Sequence, residues 1–210
     1  LEPIMSITIC VALTMIVMLV VGGARFKHFL IIGVPMVVLA VALVLMEPYR
    51  LKRLLAFLDP WSSAQAEGFQ LVQSLYAVGS GGWFGVGLFN SRQKYLFLPF
   101  AESDFIFSII AEEFGFVGCF LICIIYLIII VRGLKIAKNA SNRFGCYLAT
   151  GVVAIIAIQF LMNIAVVTGS IPPTGLPLPF ISAGSTSLLV FMSAIGIVLN
   201  VDKQSRKSRV

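Results

Sequence analysis

Residues 96–107 read LFLPFAESDFIF and are followed by a long apolar run. Two acids, Glu102 and Asp104, therefore stand where a hydrophobic segment begins. A carboxylate at the mouth of a membrane helix is well suited to act as a general base. Asp104 is also the residue type that caps helix N termini. The residues alone leave both roles open for Asp104.

The composition decides the class of protein. Hydrophobic residues make up 60% of the 210 residues, charged residues make up 11%, and the mean hydropathy is +1.04. Such a chain cannot fold as a soluble domain. The sequence predicts an all-α polytopic membrane protein. Leu1 is not an initiator Met and no basic leader precedes the first apolar run, so we expect a fragment that lacks an N-terminal part.

Apolar runs and their interruptions predict five transmembrane helices in a single membrane domain, residues 1–210. The predicted spans are 4–24, 29–46, 104–131, 147–168 and 184–201. Between the fourth and fifth spans, four prolines in residues 172–179 prevent one continuous helix. A long segment, 47–103, separates the second and third spans, and a basic tail, 202–210, ends the chain.

The segment 47–103 carries enough local signals to be an ordered loop. Asp59 and Pro60 form a helix start signature, and apolar residues at Phe69, Val72 and Tyr76 follow at helical spacing. We predict an amphipathic helix that lies on the membrane. Residues 79–82 would end it, and the glycine-rich stretch 83–87 would return the chain to the membrane interface through close packing rather than phosphate binding.

Polar residues inside the predicted spans are candidates for function because their burial in lipid is costly. At about 100° per residue, Glu112 falls about 80° from Asp104 around a helix, whereas Glu113 falls on the opposite side. Glu112 is therefore the better candidate for a cavity shared with Asp104, and Glu113 for pairing with a neighbouring helix. Gln159 and Asn163 share one face, where they bind either another helix or a substrate. The four cysteines predict packing rather than a metal site or disulfide.

The distribution of Lys and Arg predicts the orientation. Ten of the 15 basic residues fall in segments 22–28, 132–143 and 202–210, which the five spans place on one side. This excess marks the cytoplasmic side. The loop 47–103, the proline-rich turn and Asp104 then face outward. The basic tail is expected to contact anionic lipids, and nothing in it predicts nucleic-acid binding.

Several ordered motifs resemble the SEDS family (shape, elongation, division and sporulation) of peptidoglycan glycosyltransferases, and in particular its FtsW/SpoVE branch. The motifs cover nearly the whole chain: LEP at 1–3, FLDPW at 57–61, GFQLVQS at 68–74, WFGVGL at 83–88, NSRQK at 90–94, SDFIF at 103–107 with AEE at 111–113, and residues 172–187. The chain departs from the family pattern at Ile4, Phe100, Glu102 and Ser185.

The resemblance implies a ten-helix fold of which this chain holds the sixth to tenth helices, with 47–103 as the large extracellular loop. It implies that lipid II is both donor and acceptor in an inverting transfer, and that Asp104 is the essential catalytic aspartate. Candidate substrate-binding residues are Arg92, Lys94, Glu112, Asn163, Thr174, Ser182 and Ser187.

The resemblance also implies partners and a location. The partners are a class B penicillin-binding protein and other divisome membrane proteins, and the location is the bacterial cytoplasmic membrane at the division septum. No cofactor is evident, and a need for a divalent cation, Mg²⁺ or Mn²⁺, is left open. Two rival interpretations are a flippase for the lipid-linked precursor, which would need polar residues in both halves of the membrane, and a non-catalytic divisome scaffold.

Overall fold

The apolar runs of the sequence form helices in the computed structural model, which describes residues 4–25, 27, 29–31, 33–35, 38, 42, 46, 54–66, 68–99 and 101–207. Its main helices are α1 (Ile4–Val21), α2 (Phe69–Gly81), α3 (Arg92–Leu96), α4 (Ile106–Lys138), α5 (Arg143–Val167) and α6 (Ser185–Lys207). Within these ranges the regular secondary structure is entirely helical. The predicted all-α class is confirmed.

In the described part of the chain, α4, α5 and α6 are long and apolar enough to cross a membrane. The shorter helix α1 is also apolar over residues 7–21. Most of the second predicted span, 29–46, and residues 47–53 of the predicted loop lie outside the described residues. The number of spans in the whole chain therefore stays a prediction.

Helix α5 is the centre of the packing, because α1, α4 and α6 all lie against it. The ring of Tyr126 on α4 stacks on Phe160 of α5, with ring centroids 4.0 Å apart. Around this pair a buried cluster brings Phe105, Phe191 and Leu178 together. The core thus joins three long helices to the proline-rich segment between α5 and α6.

Helix α4 is broken at Gly115, whose φ of 66° and ψ of −164° are not helical. A side chain is rarely tolerated at such a positive φ. A Cβ added to Gly115 would also collide with the backbone of Gly85. Glycine at position 115 therefore permits both the break and the close approach of a second chain segment.

The segment 82–87 fills the break. Four backbone hydrogen bonds replace those that α4 loses: Val86 N to Glu112 O (2.9 Å), Gly87 N to Glu113 O (3.1 Å), Phe116 N to Gly82 O (2.9 Å) and Val117 N to Trp83 O (3.1 Å). Unpaired backbone groups are very costly in a membrane, so this pairing stabilises an irregular helix there. The prediction of close packing by the glycine-rich stretch is confirmed.

The two limbs of α4, before and after Gly115, are not in line. Helix α4 is kinked at Gly115. Three hydrogen bonds connect the turn before the first limb to Tyr126 on the second limb: Ser182 Oγ to Ser103 O, Leu178 N to Ser182 Oγ, and Tyr126 Oη to Pro179 O.

The amphipathic helix predicted from Asp59 begins ten residues later, at Phe69. Asp59 instead organises a turn, since its carboxylate accepts a hydrogen bond from Ser62 N at 3.3 Å. One face of α2 packs against α4, and Ser74, which is fully buried, hydrogen-bonds Ser108 Oγ (2.8 Å) and Val167 O (3.0 Å). The position of α2 on the membrane stays a prediction.

The basic residues of α4, α5 and α6 gather at one end of the helices. Ser141, in the turn between α4 and α5, donates its backbone N–H to Ser205 Oγ near the end of α6 at 3.1 Å. Helix α6 continues to Lys207, well into the stretch 202–210 that was predicted as a tail. Asp104 and the proline-rich segment lie at the other end of α5.

Candidate active site

Asp104 lies two residues before α4, in a turn rather than in the helix. The N-cap residue of α4 is Phe105, and no side chain caps this helix end. The alternative role of Asp104 as a helix cap is therefore wrong. Its carboxylate is partly exposed and accepts a 2.8 Å hydrogen bond from Ser103 Oγ at Oδ1. Ser103 thereby fixes one oxygen and leaves Oδ2 facing the proline-rich segment.

The proline-rich segment, residues 170–184, is hydrogen-bonded to the turn that holds Asp104. Ser182 Oγ donates to Ser103 O and accepts from Leu178 N at 2.7 Å. Ala183 N donates to Glu102 O at 2.8 Å. These bonds hold the segment over residues 102–104.

Asn163 also connects the turn that holds Asp104 to the proline-rich segment. It lies one turn before the end of α5, and only 1% of its surface is exposed. Its Nδ2 donates two hydrogen bonds, to Asp104 O at 2.8 Å and to Leu176 O at 2.9 Å. The amide group therefore connects the backbone of Asp104 to the backbone of the proline-rich segment.

Gly175 and Thr174 complete the surroundings of Asp104. A Cβ added to Gly175 would lie 3.3 Å from Asp104 Oδ2, so any other residue would press on that oxygen. Thr174 Oγ1 and Asn163 Oδ1 are buried and have no hydrogen-bond partner within the described residues. Thr174 adjoins Gly175 in the chain and Asn163 bonds the backbone of Asp104, so both belong to elements that contact Asp104 and carry unused hydrogen-bonding capacity there.

Glu112 belongs to a second cluster, centred on the start of α3. Its carboxylate is 3% exposed and accepts hydrogen bonds from Ser91 Oγ (2.6 Å), Arg92 N (3.0 Å) and Gln93 N (3.4 Å). A carboxylate that accepts several backbone N–H groups stabilises a helix N terminus. Both oxygens of Glu112 are thus engaged with the chain itself, which differs from the cavity shared with Asp104 that the helical angle predicted.

The other predicted site residues occupy separate positions. The side chain of Arg92 is exposed at the first residue of α3, and the ammonium group of Lys94 lies 5.7 Å from the ring centroid of Tyr95. Ser187 is partly exposed in the first turn of α6. Glu113 is buried, and its Oε1 has no hydrogen-bond partner in the described ranges. The pairing predicted for Glu113 is not seen there.

Three contributors to the Asp104 site were not singled out from the sequence: Ser103, Gly175 and Leu176. Ser103 precedes Asp104 directly, so a serine hydroxyl beside a candidate base was an available signal. Gly175 and Leu176 act through close approach and a backbone carbonyl, which residue type does not reveal. Among the described residues, no group of three or more His, Cys, Asp or Glu side chains could hold a metal ion.

Residues 1–207 match the family described as cell cycle protein, which groups FtsW, RodA and SpoVE. The chain belongs to this FtsW/RodA/SpoVE family. The family resemblance predicted from the motifs is confirmed. Stage V sporulation protein E of Bacillus subtilis is 48% identical over 193 residues, which are 92% of this chain and 53% of that protein. The probable peptidoglycan glycosyltransferase FtsW of Aliivibrio salmonicida is 40% identical over 98% of this chain and 52% of its own length.

Solved structures of the FtsW/RodA/SpoVE family share the fold. A chain from a study of structural coordination of polymerization and crosslinking by a peptidoglycan synthase complex superposes with a TM-score of 0.77 at 27% identity. It is matched over 94% of this chain and 55% of its own. A variant of the rod shape determining protein RodA of Thermus thermophilus gives 0.50 at 30% identity, over 63% and 40% of the two chains. The chain spans about half the length of these relatives.

Proposed function

We propose that this protein is a peptidoglycan glycosyltransferase that polymerises lipid II into glycan strands at the outer face of the bacterial cytoplasmic membrane. Membership of the FtsW/RodA/SpoVE family supports the reaction class, because curated relatives at 40–48% identity include probable peptidoglycan glycosyltransferases. The family does not by itself assign residues. The arrangement around Asp104 supplies the argument for the site.

One observation carries the proposal. Asp104 is a partly exposed carboxylate that caps no helix, has Ser103 on one oxygen and faces Gly175 with the other. A structural acid would be expected to use its oxygens in capping or ion pairing, as Glu112 does at α3. Asp104 instead keeps Oδ2 beside a segment whose Thr174 hydroxyl has no hydrogen-bond partner among the residues that the structure describes. This is the arrangement that a general base for a sugar hydroxyl requires.

The reaction can be written with these groups. The hydroxyl of the acceptor sugar attacks the anomeric carbon of the donor, and a new glycosidic C–O bond forms on the face opposite the departing group. Asp104 takes the hydroxyl proton as the C–O bond to undecaprenyl pyrophosphate breaks. Thr174 and Ser182 lie on the proline-rich segment that would orient the sugars, and Ser187 follows it in the first turn of α6. Arg92 and Lys94 are the cations proposed to offset the charge of the pyrophosphate.

The active assembly is proposed to include a class B penicillin-binding protein. The synthase complex that this chain resembles couples polymerization with crosslinking, which supports a partner of that kind. We also propose a role at the division septum, which the similarity to FtsW and stage V sporulation relatives supports. Other divisome membrane proteins and anionic lipids are the further partners we propose.

The function is tested by polymerisation of purified lipid II. The intact protein, reconstituted in vesicles with its penicillin-binding partner, should form glycan chains visible on a gel. Transport of a labelled lipid II across the vesicle membrane without chain formation would instead favour a flippase. The absence of both activities in a protein that still binds its partner would favour a scaffold. A parallel series with Mg²⁺, Mn²⁺ or EDTA would decide the cation requirement.

A further inference from the structure

An exposed aromatic patch lies where the segment 82–87 meets α4. Trp83 is 70% exposed and Phe84 is 82% exposed. The ring of Trp83 makes an edge-to-face contact with Phe116, at 5.3 Å between centroids, and Phe116 stacks on Phe120 at 6.2 Å. The patch is therefore not a loose loop tip, because the ring of Trp83 packs against the second limb of α4.

The composition of the second limb of α4 indicates which environment surrounds this patch. From Phe116 to Val131 the limb carries no charge, and it then reaches Arg132. Its exposed side chains along this stretch are large and apolar, including Phe120, Leu121, Ile125 and Ile128. Sixteen residues at about 1.5 Å each give about 24 Å, close to the thickness of a bilayer hydrocarbon core once Arg132 extends to the interface. The patch stands at the opposite end of this stretch from Arg132.

The backbone of the segment 82–87 is suited to this depth. Irregular backbone at membrane depth is stable only where its N–H and C=O groups are paired. The four hydrogen bonds to α4, at residues 112, 113, 116 and 117, provide that pairing. This pairing lowers the cost of placing the segment at the edge of the hydrocarbon core.

We infer that Trp83, Phe84 and Phe116 form an interfacial anchor that contacts lipid at the boundary between headgroups and acyl chains, on the Asp104 side of the membrane. The amphipathic ring of Trp favours this layer, and Phe rings beside it can bury their apolar surface at the acyl-chain boundary. Residues 82–87 of the loop predicted as extracellular are then embedded in the membrane surface. The anchor fixes the break in α4, and with it the limb that leads from Asp104, relative to the lipid headgroups. This inference does not depend on the proposed reaction.

Spin-label accessibility tests this anchor. In the intact protein, with the native cysteines replaced, a nitroxide is attached to Phe84→Cys, to Phe120→Cys as the lipid-facing control and to Gln65→Cys as the aqueous control, since all three positions are exposed. After reconstitution in vesicles, power saturation compares collision with O₂, which concentrates in lipid, and with Ni-EDDA, which stays in water. The Phe84 label should favour O₂, with a depth smaller than that of the Phe120 label.

Two results would overturn the inference. A Phe84 label as accessible to Ni-EDDA as the Gln65 label would place the patch in water. A Phe84 label shielded from both reagents would show that protein, rather than lipid, covers the patch. Leu88→Cys provides a second label position, because Leu88 is 56% exposed and directly follows the last residue bonded to the break. It should give the same preference for O₂.

Discussion

The side-chain amide of Asn163 donates a 2.8 Å hydrogen bond to the backbone carbonyl of Asp104. The same Nδ2 holds Leu176 O at 2.9 Å, so one buried group sets the spacing between the proposed base and the segment proposed to orient the sugars. Asn163 was predicted to contact substrate. Both of its N–H donors are used within the protein, and its Oδ1, which has no hydrogen-bond partner in the described part of the chain, is the atom left for a ligand.

Asn163→Asp should lower the turnover of lipid II. The change removes the two donors and places a carboxylate next to two carbonyl oxygens, so the proline-rich segment should shift relative to Asp104. A displacement of about 1 Å at a reacting group can cost about 100-fold in rate. We expect at least a roughly tenfold loss of turnover at saturating lipid II, measured with thermal unfolding in parallel. Asn200→Asp, at an exposed position on α6, is the matched control. An equal loss from Asn200→Asp would refute the role of Asn163.

Glu112→Gln should destabilise the start of α3, whereas Glu113→Gln should have a smaller effect. In Glu112→Gln an amide NH₂ replaces one of the two oxygens that accept hydrogen bonds from residues 91–93, and a lost buried partner costs about 1–3 kcal/mol. Glu113 Oε1 has no such partner among the described residues. Protease cleavage within residues 90–98 and thermal unfolding would measure the difference. Equal effects from the two variants would argue against the Glu112 contacts as the stabilising feature.

Gly115→Ala should prevent correct folding of α4. Its φ of 66° strains any L residue by roughly 1–3 kcal/mol, and the added Cβ would also meet the backbone of Gly85. Gly196→Ala is the control, because nothing lies within 4 Å of its Cβ position in α6. That change should be neutral or stabilising by up to about 1 kcal/mol. Detergent-solubilised protein yield and unfolding temperature are the measurements, and a normal Gly115→Ala protein would contradict the described break.

The sequence predicts the class and the main helices of this fold because long apolar runs leave few alternatives to membrane helices. The motifs also led to Asp104. The break in α4 was not predicted, since a single glycine is tolerated within a membrane helix and the conformation of Gly115 depends on the segment 82–87, about thirty residues earlier. The helical angle placed Glu112 in the wrong surroundings for the same reason. A constant 100° per residue gives directions around one helix, but it does not show which other segments of the chain pack there.

The start of α2 shows a second limit of local signals. Asp59 and Pro60 match a helix start, but the turn they form ends before Phe69, where the chain meets α4 and α5. Tertiary packing, through Ser74, then decides which face is buried. The hydrogen bonds of Asn163 to distant segments could not be predicted from the sequence. Both acceptors are backbone carbonyls, which every residue type has.

The orientation across the membrane is a separate prediction. A cysteine placed at Gln65 should react with a membrane-impermeant maleimide added outside intact cells, whereas one at Ser141, in the turn between α4 and α5, should react only after the cytoplasmic face is opened. Both positions are exposed. The basis is the gathering of basic residues at the Ser141 end. The reverse labelling pattern would show that the predicted orientation across the membrane is inverted.

We propose that Asp104 is the general base of glycan polymerisation. Asp104→Asn keeps the size of the side chain and an oxygen for the Ser103 hydroxyl, but it removes the proton-accepting carboxylate. Because Asp104 caps no helix, folding, membrane insertion and partner binding should be unchanged. A general base commonly contributes about 10² to 10⁴ in rate. The measurement is glycan chain length on a gel, using the intact protein with its penicillin-binding partner and purified lipid II. By the time the unchanged protein has consumed its lipid II, Asp104→Asn should have formed no glycan chains. Glycan chains of near-normal length from Asp104→Asn would show that Asp104 is not the general base.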